Sequence, residues 1–192
     1  MKYLEEFNAK PPSQYFSETN TDKGGYQHNY SWFYDTIFSA LLYRINGPLR
    51  VLEIGVSFFY GLGSGHAFCR MPYVERFIGI DQNPLRAPFE NNKGIFIQAD
   101  AYEQETVDKA AQYGPFHLII DDGWHQHEGQ VAFFRLYTAL CDKISIMACE
   151  DVIKAEINSR LEEIGDKSLH VLQVPALFAN YTDNNMIVRF NL

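Results

Sequence analysis

Residues 116 to 128 read Phe-His-Leu-Ile-Ile-Asp-Asp-Gly-Trp-His-Gln-His-Glu. An apolar run, bounded upstream by Gly114-Pro115, stops abruptly in two carboxylates, a glycine and two histidines. So short a run between breakers predicts a buried strand rather than a helix. In an open α/β sheet the carboxyl ends of the strands face the ligand crevice. Asp121, Asp122, His125 and His127 therefore become candidates for chemistry. A second run, Ile144-Ser-Ile-Met-Ala-Cys149, ends alike in Glu150-Asp151. Two adjacent strand ends with paired carboxylates point to a hard-cation site, although helix capping accounts equally well for either pair taken alone.

Outward from this stretch, strands and helices alternate. Arg50-Val-Leu-Glu-Ile-Gly55 is the first predicted strand, and it runs into a loop with Gly61, Gly63 and Gly65 two apart. A short helix to about Met71 follows, then strands Arg76–Asp81 and Gly94–Asp100, each ending in an acid, and a helix over 103–113. Beyond the opening stretch come a helix over about 129–141, the fifth strand to Glu150, an amphipathic helix Lys154–Ile164 and a sixth strand Leu169–Val174. Asn184-Asn185 turns the chain into a last strand, Met186–Leu192. The predicted fold is α/β, a Rossmann-like seven-stranded sheet with helices on both faces. It is mostly parallel, but about ten residues before the last strand leave no room for a crossover helix, so that strand is expected antiparallel. This is not the dinucleotide-dehydrogenase arrangement.

Residues 1–30 are polar, with Pro11-Pro12 and Gly24-Gly25 as breakers, and read as a short N-terminal arm or flap. Ser31 is the expected cap of a helix from Trp32 to about Arg44, which Gly47-Pro48 stops. With no internal repeat or linker, 1–192 reads as a single domain, the arm at 1–30 and the core at 31–192. The net charge of −8, with no run of Lys or Arg, argues against a nucleic-acid partner. Cys69, Cys141 and Cys149 lack C-x-x-C spacing, as befits reduced thiols. The N-terminus has no apolar signal region, and no stretch reaches membrane-spanning length. A cytoplasmic protein with no membrane contact is expected; a homo-oligomer is left open.

A glycine loop between the first strand and its helix lets backbone amides approach a ligand closely. Glu53-x-Gly55, Gly61-x-Gly63-x-Gly65, Asp81 and Asp100 each fall at a separate strand end, and Asp81 lies where a ribose diol is bound in such folds. The spacing is not G-x-G-x-x-G, and the loop offers no Lys or Arg for a pyrophosphate. A cofactor with ribose and adenine but no phosphate fits better, and a positive charge on it would suit the acids.

Val51-Leu-Glu-Ile-Gly55, Gly79-Ile-Asp81 and Gln98-Ala-Asp100 resemble the cofactor motifs of class I S-adenosylmethionine-dependent methyltransferases. Thr21-Asp-Lys-Gly through His28 and Tyr30, Ile119-Ile-Asp-Asp-Gly-Trp-His125, and Glu150-Asp151 resemble more closely the Mg-dependent macrolide sugar O-methyltransferases. The resemblance runs from about 19 to 192 and implies that Asp122, Glu150 and Asp151 hold Mg²⁺ and that His125 is the general base. Glu53, Gly55, Gly61, Asp81, Gln82, Asp100, Ala101 and Asp121 would then hold S-adenosylmethionine, with Lys23, His28 and Tyr30 closing over it. Three departures stand out. Trp124 occupies the place of a small residue, and the turn before the fifth strand lacks Pro-Gly-Gly. The expected chain is also shorter than those enzymes, without their further N-terminal part.

The implied function is an O-methyltransferase acting on a small hydroxylated acceptor such as a sugar or glycosylated metabolite. In-line displacement at a sulfonium needs alignment and a deprotonated nucleophile. A divalent ion lowers the barrier to ionising a hydroxyl, and a histidine on the same rim accepts the proton. His127 is the reserve base and Asp121 the reserve ligand. The competing readings are an NAD-type oxidoreductase and a non-catalytic cofactor-binding module.

Overall fold

The computed structural model describes residues 9–24, 28, 30–56, 63–174 and 185–192. Its sheet has strands β1 (Leu49–Ile54), β2 (Val74–Asp81), β3 (Gly94–Gln98), β4 (Phe116–Asp121), β5 (Cys141–Cys149), β6 (Leu169–Gln173) and β7 (Asn185–Asn191). The order is β3-β2-β1-β4-β5-β7-β6. β7 runs antiparallel to both β5 and β6, and the other neighbours pair in parallel. The antiparallel last strand is as expected; its insertion between β5 and β6 is new. The strand order reverses between β1 and β4, which is the place where open α/β sheets leave a crevice for ligands.

Every residue of β4 is buried, which explains the unbroken apolar run in its sequence. Successive side chains point to opposite faces, and two cores result. Val51, Leu118 and Ile120 pack with the aromatic side chains of α1 (Pro12–Thr19), α2 (Ser31–Ile45) and α3 (Gly63–Arg70). Leu52, Ile54 and Ile119 pack against α4 (Gln104–Ala111), α5 (His127–Tyr137) and α6 (Ile157–Ile164). Among the described residues, no helix is long and apolar enough to cross a membrane.

Several boundaries differ from expectation for local reasons. Asp100 stands beyond β3, in the loop that follows it. The helix expected over 129–141 starts two residues earlier and ends at Tyr137, where a 3₁₀ turn (Thr138–Leu140) leads straight into β5 at Cys141. Ser31 is the first residue of α2 rather than its cap, and its Oγ donates to the Lys23 carbonyl at 3.0 Å.

The largest difference lies in the expected arm. Pro12 opens α1 at a position where its missing N–H costs nothing, and Asn20 ends it in the left-handed conformation, φ 54°. Phe16 is fully buried, and its ring meets Tyr34 and Phe68 edge-on at centroid distances of 5.3 and 5.5 Å. Polar composition concealed this because only four residues of the helix, Pro12, Tyr15, Phe16 and Thr19, face inward. Phe16→Ala should therefore cost about 3–5 kcal/mol in urea unfolding, as for other buried aromatics. A loss under about 1 kcal/mol would mean that α1 is an attachment to the core and not part of it.

Candidate active site

The parallel strands β1, β4 and β5 end side by side. Asp122 N donates to Ile54 O at 3.0 Å, and Glu150 N donates to Asp121 O at 2.9 Å. Gly55, Asp122 and the pair Glu150-Asp151 are therefore neighbours. Gly55 has φ +86°, and a Cβ there would lie 1.9 Å from the carbonyl oxygen of Asp122. Its glycine is required by the close passage of the chain after β4. Asp151 also takes a left-handed conformation, φ 54°, an unfavourable one for a residue with a side chain and one that recurs at functional sites.

A cavity of about 820 Å³ opens over these ends, within the range of small-molecule and cofactor sites. On the β2–β3 side it is lined by Asp81, Gln82, Asp100 and Ala101, and on the β4–β5 side by Asp122, Trp124, His125 and Asp151, with Gly55 between. Asp81 Oδ1 accepts from Asn83 N at 2.8 Å and Asp100 Oδ1 from Tyr102 N at 3.0 Å, so local turns fix both acids. The described lining includes the carboxylates of Asp22, Asp81, Asp100, Glu103, Asp122 and Asp151 and no Lys or Arg.

At the β4–β5 end, Asp122, His125 and Asp151 each offer a ligand atom, and these lie within 4.8 Å of one another. His125 is half-exposed, with Nε2 3.9 Å from Asp151 Oδ2. Tyr30 OH donates to Asp151 Oδ1 at 2.6 Å, and His28 Nδ1 lies 3.3 Å from the same oxygen. Two carboxylates opening on an acidic cavity are hard oxygen donors that fit a divalent cation, with the imidazole beside them.

Glu150 turns elsewhere. One oxygen accepts from Tyr34 OH and the other from the Lys23 ammonium, and it does not line the cavity. Lys23 also reaches Asp122 Oδ2 at 2.6 Å and Glu53 Oε1 at 3.3 Å, and Glu53 accepts from Ser64 Oγ at 2.7 Å. Burial alone would lower the Lys23 pKa, but Asp122 and Glu150 outweigh it and hold the ammonium well above its ordinary value. Burial raises Asp122 and Glu150, with Lys23 opposing.

Of the residues expected to hold a cofactor, Gly55, Asp81, Gln82, Asp100 and Ala101 line the cavity. Glu53, Lys23 and Tyr30 do not; they are engaged in the carboxylate cluster just described. Gly61 lies outside the described residues. Asp121 points back under the loop, where it accepts from Tyr102 OH at 2.9 Å and Gly123 N at 3.2 Å, and burial lifts its pKa to about 7. Tyr102 OH in turn accepts from Trp124 N at 3.0 Å, so this pair braces the turn that carries Asp122 and His125. Sequence reading missed Tyr102 and Tyr34, each one aromatic among many. His127 opens α5 and pairs with Glu163 at 2.7 Å, away from the cavity lining.

Sheet order, glycine turn and terminal acids together resemble those of the class I S-adenosylmethionine-dependent methyltransferases, and within them the macrolide sugar O-methyltransferases. No family model matches the chain. It is 31% identical over 128 residues to the 8-demethyl-8-(2-methoxy-alpha-L-rhamnosyl)-tetracenomycin-C 3'-O-methyltransferase of Streptomyces olivaceus, covering 62% of this chain and 31% of that protein. The MycE methyltransferase of the mycinamycin pathway, solved with Mg, SAH and mycinamycin VI, superposes with a TM-score of 0.67 at 28% identity, over 79% of this chain and 39% of that one. An O-methyltransferase from Bacillus cereus shares the fold, with a TM-score of 0.54 at 15% identity over 80% of this chain and 79% of its own. The chain spans about a third of the length of the curated relative it matches.

Gly55→Ala should disrupt both fold and site, because its Cβ would meet backbone that no rotamer change can clear. A clear fall in melting temperature is expected. An unchanged melt would show that the loop after β4 is free to retreat.

Proposed function

We propose that the chain is an S-adenosylmethionine-dependent, Mg²⁺-dependent O-methyltransferase acting on a small hydroxylated acceptor of the sugar or glycosylated class. The supporting observation is the cavity, with the strand-end acids of a nucleoside site on one side and the Asp122–His125–Asp151 donors on the other. Its described lining brings six carboxylates together and includes no Lys or Arg, which suits a sulfonium and opposes a pyrophosphate. That argues against an NAD-type oxidoreductase. The names of the tetracenomycin and mycinamycin relatives agree with a glycosylated acceptor.

Asp81 would take the ribose, with Gln82, Asp100 and Ala101 around the base and Gly55 beneath. Asp122 and Asp151 would hold the cation, which when bound supplies Lewis acidity toward an acceptor hydroxyl. His125 Nε2 faces Asp151 Oδ2 across 3.9 Å at the mouth. A hydroxyl seated there can be oriented by Asp151 and lose its proton to the imidazole. The Tyr102–Asp121 brace fixes the backbone turn that leads into His125, and alignment of acceptor and methyl donor supplies the remaining gain.

Calorimetry with S-adenosylmethionine should give binding, NAD should give none, and Asp81→Ala should weaken the former by about 1–3 kcal/mol. Heat from NAD alone would overturn the reading. His125→Ala should lower turnover on a glycoside acceptor by about 10²- to 10⁴-fold while cofactor affinity stays near wild type. Full activity in this variant would remove histidine from the reaction.

A further inference from the structure

A single exposed aromatic on a protein surface is ordinary and calls for no explanation. Trp124 differs by its place. Of the large hydrophobic side chains exposed among the described residues, it is the one that lines the cavity, and it is 58% exposed. The other large apolar groups of that lining are already committed. Ile54 is buried in the core, and the half-buried Tyr102 spends its hydroxyl on Asp121. Trp124 joins neither core. It is also one of the three departures from the enzymes that the sequence resembles, so it belongs to this chain rather than to the general pattern.

The root of this side chain is fixed on three sides. Gly123 N, just before it, donates to Asp121 Oδ1 at 3.2 Å, and Trp124 N donates to Tyr102 OH at 3.0 Å. The Trp124 carbonyl lies against the first turn of α5, so near Gly129 that a Cβ there would approach it to 2.9 Å. An indole on such a base is a large surface with only two side-chain torsions to fix, which makes contact with it cheap in entropy. Its position in the chain, between Asp122 and His125, sets it beside the groups assigned to the reaction. His125 Nε2 stands 3.9 Å from Asp151 Oδ2 in the same lining.

These surroundings select a ligand. Ionised carboxylates only accept hydrogen bonds, so the acids of the lining call for a molecule with several O–H donors. The face of an indole carries the negative lobe of its quadrupole and attracts weakly positive C–H groups. A pyranose ring has both features: hydroxyls around its rim and C–H groups on its face. An arene with one or two hydroxyls would leave most of the carboxylates without donors. We propose that Trp124 is a specificity-determining residue, the platform on which the C–H face of a pyranoside acceptor stacks while a ring hydroxyl lies between Asp151 and His125. The inference rests on the methyltransferase reading and deepens it by giving the acceptor a subsite. A platform of this kind touches the acceptor equally before and during methyl transfer, so its contribution falls on KM and not on kcat.

The test begins with fluorescence, because the chain has two tryptophans, Trp32 and Trp124. The full chain, loaded with Mg²⁺ and S-adenosylhomocysteine, is titrated with the methyl glycosides of glucose, galactose, mannose and rhamnose. At least one should shift the emission to shorter wavelength as it covers the indole, whereas open-chain sorbitol, with hydroxyls but no ring face, should not. Trp32→Phe should keep the shift and Trp124→Phe should lose it. With S-adenosylmethionine and the glycoside that responds, Trp124→Ala should raise KM by about tenfold and leave kcat nearly unchanged. Trp124→Phe, which keeps an aromatic face, should restore KM to within about threefold of wild type, and Trp124→Leu, apolar without a ring, should not. Melting curves check the variants, all of which should fold because the side chain is exposed. A fall in kcat at unchanged KM overturns the proposal, since it would make Trp124 a support for the turn that carries His125. A shift that survives in Trp124→Phe overturns it as well, as does a response to catechol with none to any pyranoside. Calorimetry with S-adenosylmethionine on the same samples separates the failures. No glycoside response with the cofactor still bound overturns this inference alone; absence of both overturns the methyltransferase reading too.

Discussion

One ammonium shared by three carboxylates, nearly excluded from water, is the interaction on which the site depends. Glu53 comes from β1, Asp122 from the end of β4 and Glu150 from the end of β5, and Lys23 touches all three. Buried carboxylates without a partner are strongly unfavourable. Burial raises the pKa of each of them here, and Lys23 opposes it. Loss of one partner from such a cluster typically costs about 3–5 kcal/mol. Since Lys23 belongs to the segment before the sheet, α1 must dock before the acids at the sheet's carboxyl edge are paired. The aromatic contacts of Phe16 with Tyr34 and Phe68 are therefore part of the site's construction, and Tyr34 serves both, through its ring to Phe16 and its hydroxyl to Glu150.

Around this cluster the backbone leaves little slack. Gly55 lies so close to the chain after β4 that even a methyl group cannot enter. One turn further on, Asp121 and Tyr102 grip the backbone at Gly123 and Trp124. Asp151 is set by its left-handed backbone and by Tyr30, whose OH accepts from Asp151 N and donates to Asp151 Oδ1. Asp122, His125 and Asp151 are thus presented by loops, but loops tied down at each end to buried groups. Such pre-organisation is what positioning chemistry requires.

The strand ends were legible because burial on both faces demands continuous apolar runs, and each run ends visibly in Gly or an acid. The acids at 81, 100, 122 and 151 could be placed at one cavity on that basis alone, since the carboxyl ends of parallel strands share an edge of the sheet. The direction of each side chain could not. Glu150 and Asp151 are adjacent, yet one turns into the protein and the other toward the cavity, a choice made by Lys23, Tyr34 and the left-handed backbone at 151. The partners of Glu150 lie 116 and 127 residues away, beyond the reach of periodicity or spacing. α1 was hidden for a different reason: a short helix that buries one narrow stripe looks polar overall. The insertion of β7 between β5 and β6 was likewise invisible, because a tight turn predicts only that β6 and β7 pair, not which strand lies on the other side of β7.

The sign of the charge explains how one sheet edge keeps two sets of acids apart. On the β2–β3 side, Asp81 and Asp100 each spend an oxygen on a short-range turn. On the β4–β5 side the density of acids is greater, and it carries its own cation. Without Lys23, Glu53, Asp122 and Glu150 would add like charges within a few ångströms, and their repulsion at low dielectric would favour protonation. With Lys23 in place the inner acids are largely compensated, while Asp122 and Asp151 still face an acidic cavity with oxygens to spare. The outer end keeps a negative field for a cationic ligand, and the inner end is locked. A single lysine can divide the edge in this way only because its ammonium is a compact point charge that several carboxylates can approach together.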